Sequence, residues 1–293
     1  MKKILLFILI IYSTNLFSQE DPNIYDFFGG KAFGNKTVFF RLVFQINNGN
    51  INGYMYTDEQ GKSETKSIIK GRFNSKTKII SFTETRKLLS RATNNFDPLC
   101  YLQGNITLEL NPNISKLKGL FIEQTAAKQK CKNGTINLIS PDAFIKLKKQ
   151  VKKEKNTISK PVEIVTQTKK TITPTFDSDK KTIIKDDDEI IIYWESDTIK
   201  LSIWDDMKED GDKISIKFND EIVLDNYELK NKKEEIELEL EEKENILIFT
   251  ANNTGLLANN TARIDLLDNK IKHKIITELQ LNKSVKIIIK NNN

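Results

Sequence analysis

Residues 37–50 read TVFFRLVFQINNGN, and the period of that stretch decides the fold class. Its even positions, Val38, Phe40, Leu42, Phe44 and Ile46, are all apolar, while the odd ones mix Thr37, Arg41 and Gln45 with Phe39 and Val43. Side chains alternate faces along a strand, so this is a β-strand with one wholly apolar face. Asn47 to Asn50 then supply residues that tolerate positive φ, and a tight hairpin is expected there. Working outward, comparable strands are expected near residues 51–57, 67–73, 78–85, 99–110, 115–124 and 132–139, with turn-rich pieces such as DEQGK and NSKT between them.

A loose repeat runs through these strands: Ile51-Asn52-Gly53, Ile69-Lys70-Gly71, Leu102-Gln103-Gly104, Leu117-Lys118-Gly119 and Lys132-Asn133-Gly134. Glycines at one level of a curved sheet let strands bend sharply. The pattern points to an up-and-down antiparallel sheet closing into a barrel of about eight strands. At these glycine-marked strands the region resembles a calycin barrel of the lipocalin and avidin kind. That resemblance implies room for one small ligand, whereas a barrel filled by its own Phe and Ile side chains is the other outcome. Lipocalins open with Gly-X-Trp; this chain has Phe27-Phe28-Gly29-Gly30 and no tryptophan before Trp194.

Residues 145–185, IKLKKQVKKEKNTISKPVEIVTQTKKTITPTFDSDKKTIIK, separate this block from a second one. They hold 12 lysines against 4 acids, with Pro161 and Pro174 and no sustained apolar period, and read as a basic, solvated linker. Ser140-Pro141-Asp142 looks like the start of a short helix leading into it. At the other end of the front block, residues 1–18 have a cationic start, an apolar run and a small polar end, so they read as a signal peptide. The expected organisation is therefore a signal peptide (1–18), a barrel (19–144), a short helix and basic linker (145–185) and a β-sandwich (186–293). No later segment is apolar enough for a spanning helix. Export to the periplasm or cell surface follows, and nucleic acid is a poor partner for an exported chain without a basic, aromatic-interleaved motif.

The charge is uneven. Residues 19–144 carry 17 basic and 11 acidic side chains, and residues 186–293 carry 15 basic and 25 acidic. In the acidic half Glu235-Ile236-Glu237-Leu238-Glu239-Leu240-Glu241 alternates without a fault, and similar alternation recurs often enough to predict about eight short strands in an antiparallel sandwich. Between two of these strands lies Trp204-Asp205-Asp206-Met207-Lys208-Glu209-Asp210-Gly211-Asp212. Asp205, Asp206, Glu209, Asp210 and Asp212 offer the hard oxygens that Ca²⁺ prefers, with Gly211 allowing a sharp turn. The order is not that of an EF-hand, and an acidic, solvated loop is the alternative. This half also resembles a small β-sandwich domain found at the C-terminal end of secreted Bacteroidota proteins. The matching stretches are Asp205 through Asp212 with Ile214-Ser215-Ile216, Asn219, Ala251-Asn252-Asn253-Thr254-Gly255 and Asn260-Thr261-Ala262. The resemblance implies export and a sandwich, and no catalytic residues.

Cys100 and Cys131 are the only cysteines, and in an oxidising compartment they are expected to pair, closing a loop of about 30 residues worth roughly 3–4 kcal/mol. A catalytic thiol would need a base, and the sole histidine, His273, lies in the other half on an apolar strand face. Trp194 and Trp204 read as core anchors. Ser-His-Asp, HExxH, Walker A and dinucleotide patterns are absent. The reading is thus a non-enzymatic envelope binding protein whose partner is a protein, a polysaccharide or a small apolar ligand. A hydrolase using two carboxylates, as glycosidases do, is the alternative. A third is a C-terminal export or attachment module, suggested by the spacing of Lys283, Lys286 and Lys290.

Overall fold

The computed structural model describes residues 24–59, 61–91, 100–111, 114–142, 181–205, 209–256 and 259–291. The expected signal peptide and most of the expected basic linker lie outside the described residues, as does Asp206. What is described is almost wholly β.

Eight strands come first: β1 (Ile24–Phe33), β2 (Lys36–Asn47), β3 (Asn50–Thr57), β4 (Thr65–Asn74), β5 (Ile79–Ser90), β6 (Cys100–Glu109), β7 (Lys116–Thr125) and β8 (Lys130–Ile139). Each pairs antiparallel with the next, and β8 returns to β1, so the sheet closes as an up-and-down barrel. The β2–β3 hairpin turns on Asn48 and Gly49, both at positive φ, as a two-residue primed turn requires. The even residues Phe40, Leu42 and Phe44 point inward, as the period predicted. They meet Phe27, Ile69, Ile80, Phe82, Ile106 and Phe121 in one apolar cluster inside the barrel. The expectation of a strand near 37–46 missed β1, whose alternation is interrupted by Gly29 and Gly30.

Four of the five repeated glycines, Gly53, Gly71, Gly104 and Gly134, lie opposite aromatic side chains across the ladder, and Gly119 lies opposite Ile106 and Ile136. Gly71, Phe82, Gly104, Phe121 and Gly134 follow one another through directly opposed pairs on β4 to β8. A Cβ at Gly104 would enter the Phe82 ring, and one at Gly119 would meet the carbonyl oxygen of Asn105. The glycines therefore make room for rings and for close strand approach. Cys100 on β6 and Cys131 on β8 form the expected disulfide, with their Cα atoms 6.4 Å apart.

Ten strands follow: β9 (Thr182–Lys185), β10 (Glu189–Trp194), β11 (Thr198–Trp204), β12 (Lys213–Phe218), β13 (Glu221–Glu228), β14 (Glu234–Glu239), β15 (Glu244–Ala251), β16 (Asn260–Asp268), β17 (Ile271–Leu279) and β18 (Ser284–Asn291). They form two layers, in the orders β13-β12-β15-β18-β10 and β14-β11-β16-β17-β9. Trp194, Ile199, Leu201, Phe249, Ile264 and Ile287 are among the side chains that fill the core of this sandwich. The sandwich begins with β9, four residues before the expected boundary at Asp186, because the short TIIK strand is embedded in the basic run. Two of its pairings are parallel, β10 with β18 and β9 with β17, where a wholly antiparallel sandwich was expected. Both consecutive pairs, β9–β10 and β17–β18, cross from one sheet to the other, so the first strands lie alongside the last in the same direction.

Barrel and sandwich share a sheet. β5 pairs with β6 over Ile79–Thr83 and then with β10 through Leu89 and Ser90. Leu89 belongs to the sandwich core. Arg86 crosses the joint to Asp268, Glu195 and the Tyr193 carbonyl, and Arg91 ties Glu64 to Asp188.

Candidate cation centre at the end of the sandwich

The acidic loop joins β11 to β12 and comes back into contact with two later segments. Gly211 takes φ +88°, which turns the chain between Asp210 and Asp212. Asp212 is 1% exposed; its Oδ2 accepts the Thr261 N–H at 2.7 Å, and its backbone carbonyl accepts the Leu229 N–H at 2.8 Å. Asn253 receives the Lys213 N–H on Oδ1 at 2.6 Å and donates Nδ2 to the Gly211 carbonyl at 2.8 Å. Asn260, fully buried at the start of β16, donates Nδ2 to the carbonyls of Lys213 at 2.9 Å and Asn253 at 3.0 Å. The Asp210 carboxylate lies against Gly255, where a Cβ would come within 2.6 Å of its Oδ1.

These bonds leave a remainder. Both carboxylate oxygens of Asp210, Oδ1 of Asp212 and Oδ1 of Asn260 are buried without a hydrogen-bond partner. Burial pushes the Asp212 carboxyl up to about 6, with the charges of Asp210 and Asp205 adding to the effect and the Thr261 N–H opposing it. Buried acceptors left unpaired each cost about 1–3 kcal/mol, and more when charged.

Of the five acids expected at a metal, the fold thus brings Asp205, Asp210 and Asp212 into electrostatic reach of one another. Glu209 turns away, its Oε1 accepting the Asn231 N–H at 2.7 Å. Among the described residues no group of three His, Cys, Asp or Glu side chains is placed to hold a metal. An ion here would therefore need the amide oxygen of Asn260 as well. Sequence reasoning about carboxylates passed over Asn253 and Asn260, although both lie in the AxNxG-like and NTA segments that carried the family resemblance.

The outer face of β12, β13 and β15 carries a second feature next to this loop, an open groove of ≈ 490 Å³. Ser215 Oγ accepts the Asn226 N–H at 3.0 Å and the Asn252 Nδ2 at 2.9 Å, and donates to Asp225 Oδ1 at 3.2 Å. Lys217, Thr250 and Asn282 complete its polar walls, and Ile222, 61% exposed, gives it an apolar patch.

Other sequence-derived candidates have structural roles. His273 is buried and stacks on Trp194 at 5.7 Å. Trp194 is the expected core anchor, but Trp204 is only half-buried, with the Lys233 ammonium 4.0 Å over its ring. Glu84, which the sequence did not single out, is buried and accepts from Ser67 Oγ at 2.7 Å and the Leu102 N–H at 2.9 Å. Lys283, Lys286 and Lys290 pair with Asp187, Glu189 and Glu244. No protein-family model, curated protein or solved structure matches this chain.

Proposed function

We propose that this is an exported, non-enzymatic binding protein of the cell envelope that takes hold of a polysaccharide through the outer face of its sandwich, with Ca²⁺ bound at the neighbouring acidic loop. The groove beside Asn252 carries the reading. Its side chains are pre-set by their own hydrogen bonds, which lowers the ordering cost of binding, and amides, a hydroxyl, an ammonium and a carboxylate match the alternating donors and acceptors of sugar hydroxyls. The apolar cluster of Phe40, Phe44, Phe82 and Phe121 inside the barrel favours this face over an internal small apolar ligand. The signal-like first 18 residues and the disulfide support export.

Native gels cast with soluble β-glucan, mannan or lipopolysaccharide O-chain test the reading. The mature chain is expected to migrate more slowly in at least one of them, and Asn252→Ala to restore normal mobility without a change in melting temperature. Unchanged migration in all three gels, or retardation that persists in Asn252→Ala, would rule the groove out.

A further inference from the structure

We infer that Asp210, Asp212 and Asn260 form a Ca²⁺ site that staples the end of the loop before β12 to the start of β16. The inference deepens the calcium reading above by naming its ligands, and it is independent of what the groove binds. Four buried oxygens from these three side chains have no partner. One water has two protons to donate and cannot satisfy four acceptors. A divalent cation lying between them would be met by all four and would neutralise the two carboxylates together, which water cannot do.

The donor set selects the ion. All four atoms are hard oxygens, and a carboxylate with both oxygens free, as in Asp210, suits the bidentate contact that Ca²⁺ accepts. Mg²⁺ demands a regular octahedron and keeps its waters, and thiophilic ions find no sulfur or imidazole among these three ligands. Roughly two to four coordination positions would remain for water and backbone carbonyls. Asn260 is fully buried, and the same amide that leaves Oδ1 free spends Nδ2 on the carbonyls of Lys213 and Asn253. That fixes the direction of the free oxygen. An acidic loop built only for solubility would leave its carboxylates in water.

The test uses the mature full chain with its disulfide intact. Calorimetric titration with CaCl₂ is expected to show one site per chain, with Kd on the order of 0.1–1 mM as in extracellular modules. In 10 mM CaCl₂ the melting midpoint is expected to rise by on the order of 5 °C over EGTA, and less in MgCl₂. Asp210→Asn separates a cation ligand from a merely structural side chain. It removes an unpaired buried charge, so the variant is expected to melt above the wild type in EGTA and to lose the calcium response. Absence of binding in the wild-type titration overturns the site whatever the variants do. A calcium response that survives both Asp210→Asn and Asp212→Asn places the ion elsewhere and overturns it too.

Discussion

His273 shows what a single buried side chain does to the pH response of this protein. Its ring lies under Trp194, its Nε2 has no partner, and Lys66 and Arg86 face it along with Asp268. Burial, helped by the Lys66 and Arg86 charges and opposed by Asp268, pushes it down to about 3. The unfolded chain takes up a proton near pH 6.5 and the folded one does not until about pH 3, so this histidine costs no stability above pH 6.5. Between those limits stability falls by about 1.4 kcal/mol per pH unit. Denaturation midpoints measured from about pH 7 to 4 in saturating calcium are expected to fall accordingly, and His273→Phe, which keeps a ring against Trp194, to flatten the slope. An equal slope in the variant would exclude His273 as its source. The inward direction of His273 was legible from strand parity with Ile271 and Ile275. Its missing partner was not, because that depends on Lys66 and Arg86 arriving from the barrel.

At the scale of the element, the glycine belt is where sequence and packing meet most directly. The spacing of Gly104, Gly119 and Gly134 announced curved strands; that Phe82 and Phe121 occupy the space was set by register. Gly119→Ala would press a Cβ on the Asn105 carbonyl and is expected to cost about 1–3 kcal/mol in chemical denaturation. The adjacent Leu120, 64% exposed, should tolerate Ala within about 0.5 kcal/mol. Equal costs at the two positions would contradict the close-approach account. β1 and β9 escaped notice for local reasons, one broken by paired glycines and the other four residues long.

For the whole molecule, the decisive feature is the joint. β16 carries inward-facing polar residues at both ends: Asn260 at the candidate cation centre and Asp268 at the barrel. Asp268 accepts from Arg86 and from the N–H groups of Glu195 and Ser196, so one carboxylate ties the barrel to the β10–β11 turn. Breaking a buried pair from one side costs about 3–5 kcal/mol. Scanning calorimetry of the wild type is expected to show one transition, and Asp268→Ala to split it into barrel and sandwich transitions. Two transitions in the wild type would mean that the shared sheet does not couple the halves.

Sequence by itself determined most of the β-strands, the closed up-and-down barrel and a second β-sheet block, because side-chain alternation, turn residues and glycine spacing are local properties of the chain; the disulfide followed from there being only Cys100 and Cys131 to pair. Only the tertiary structure decided that β5 leaves β6 for β10, that two strand pairs run parallel, and that Asn260 joins Asp210 and Asp212 from far along the chain. Those outcomes depend on which distant segments meet, and a buried oxygen is known to lack a partner only when everything packed around it is in place.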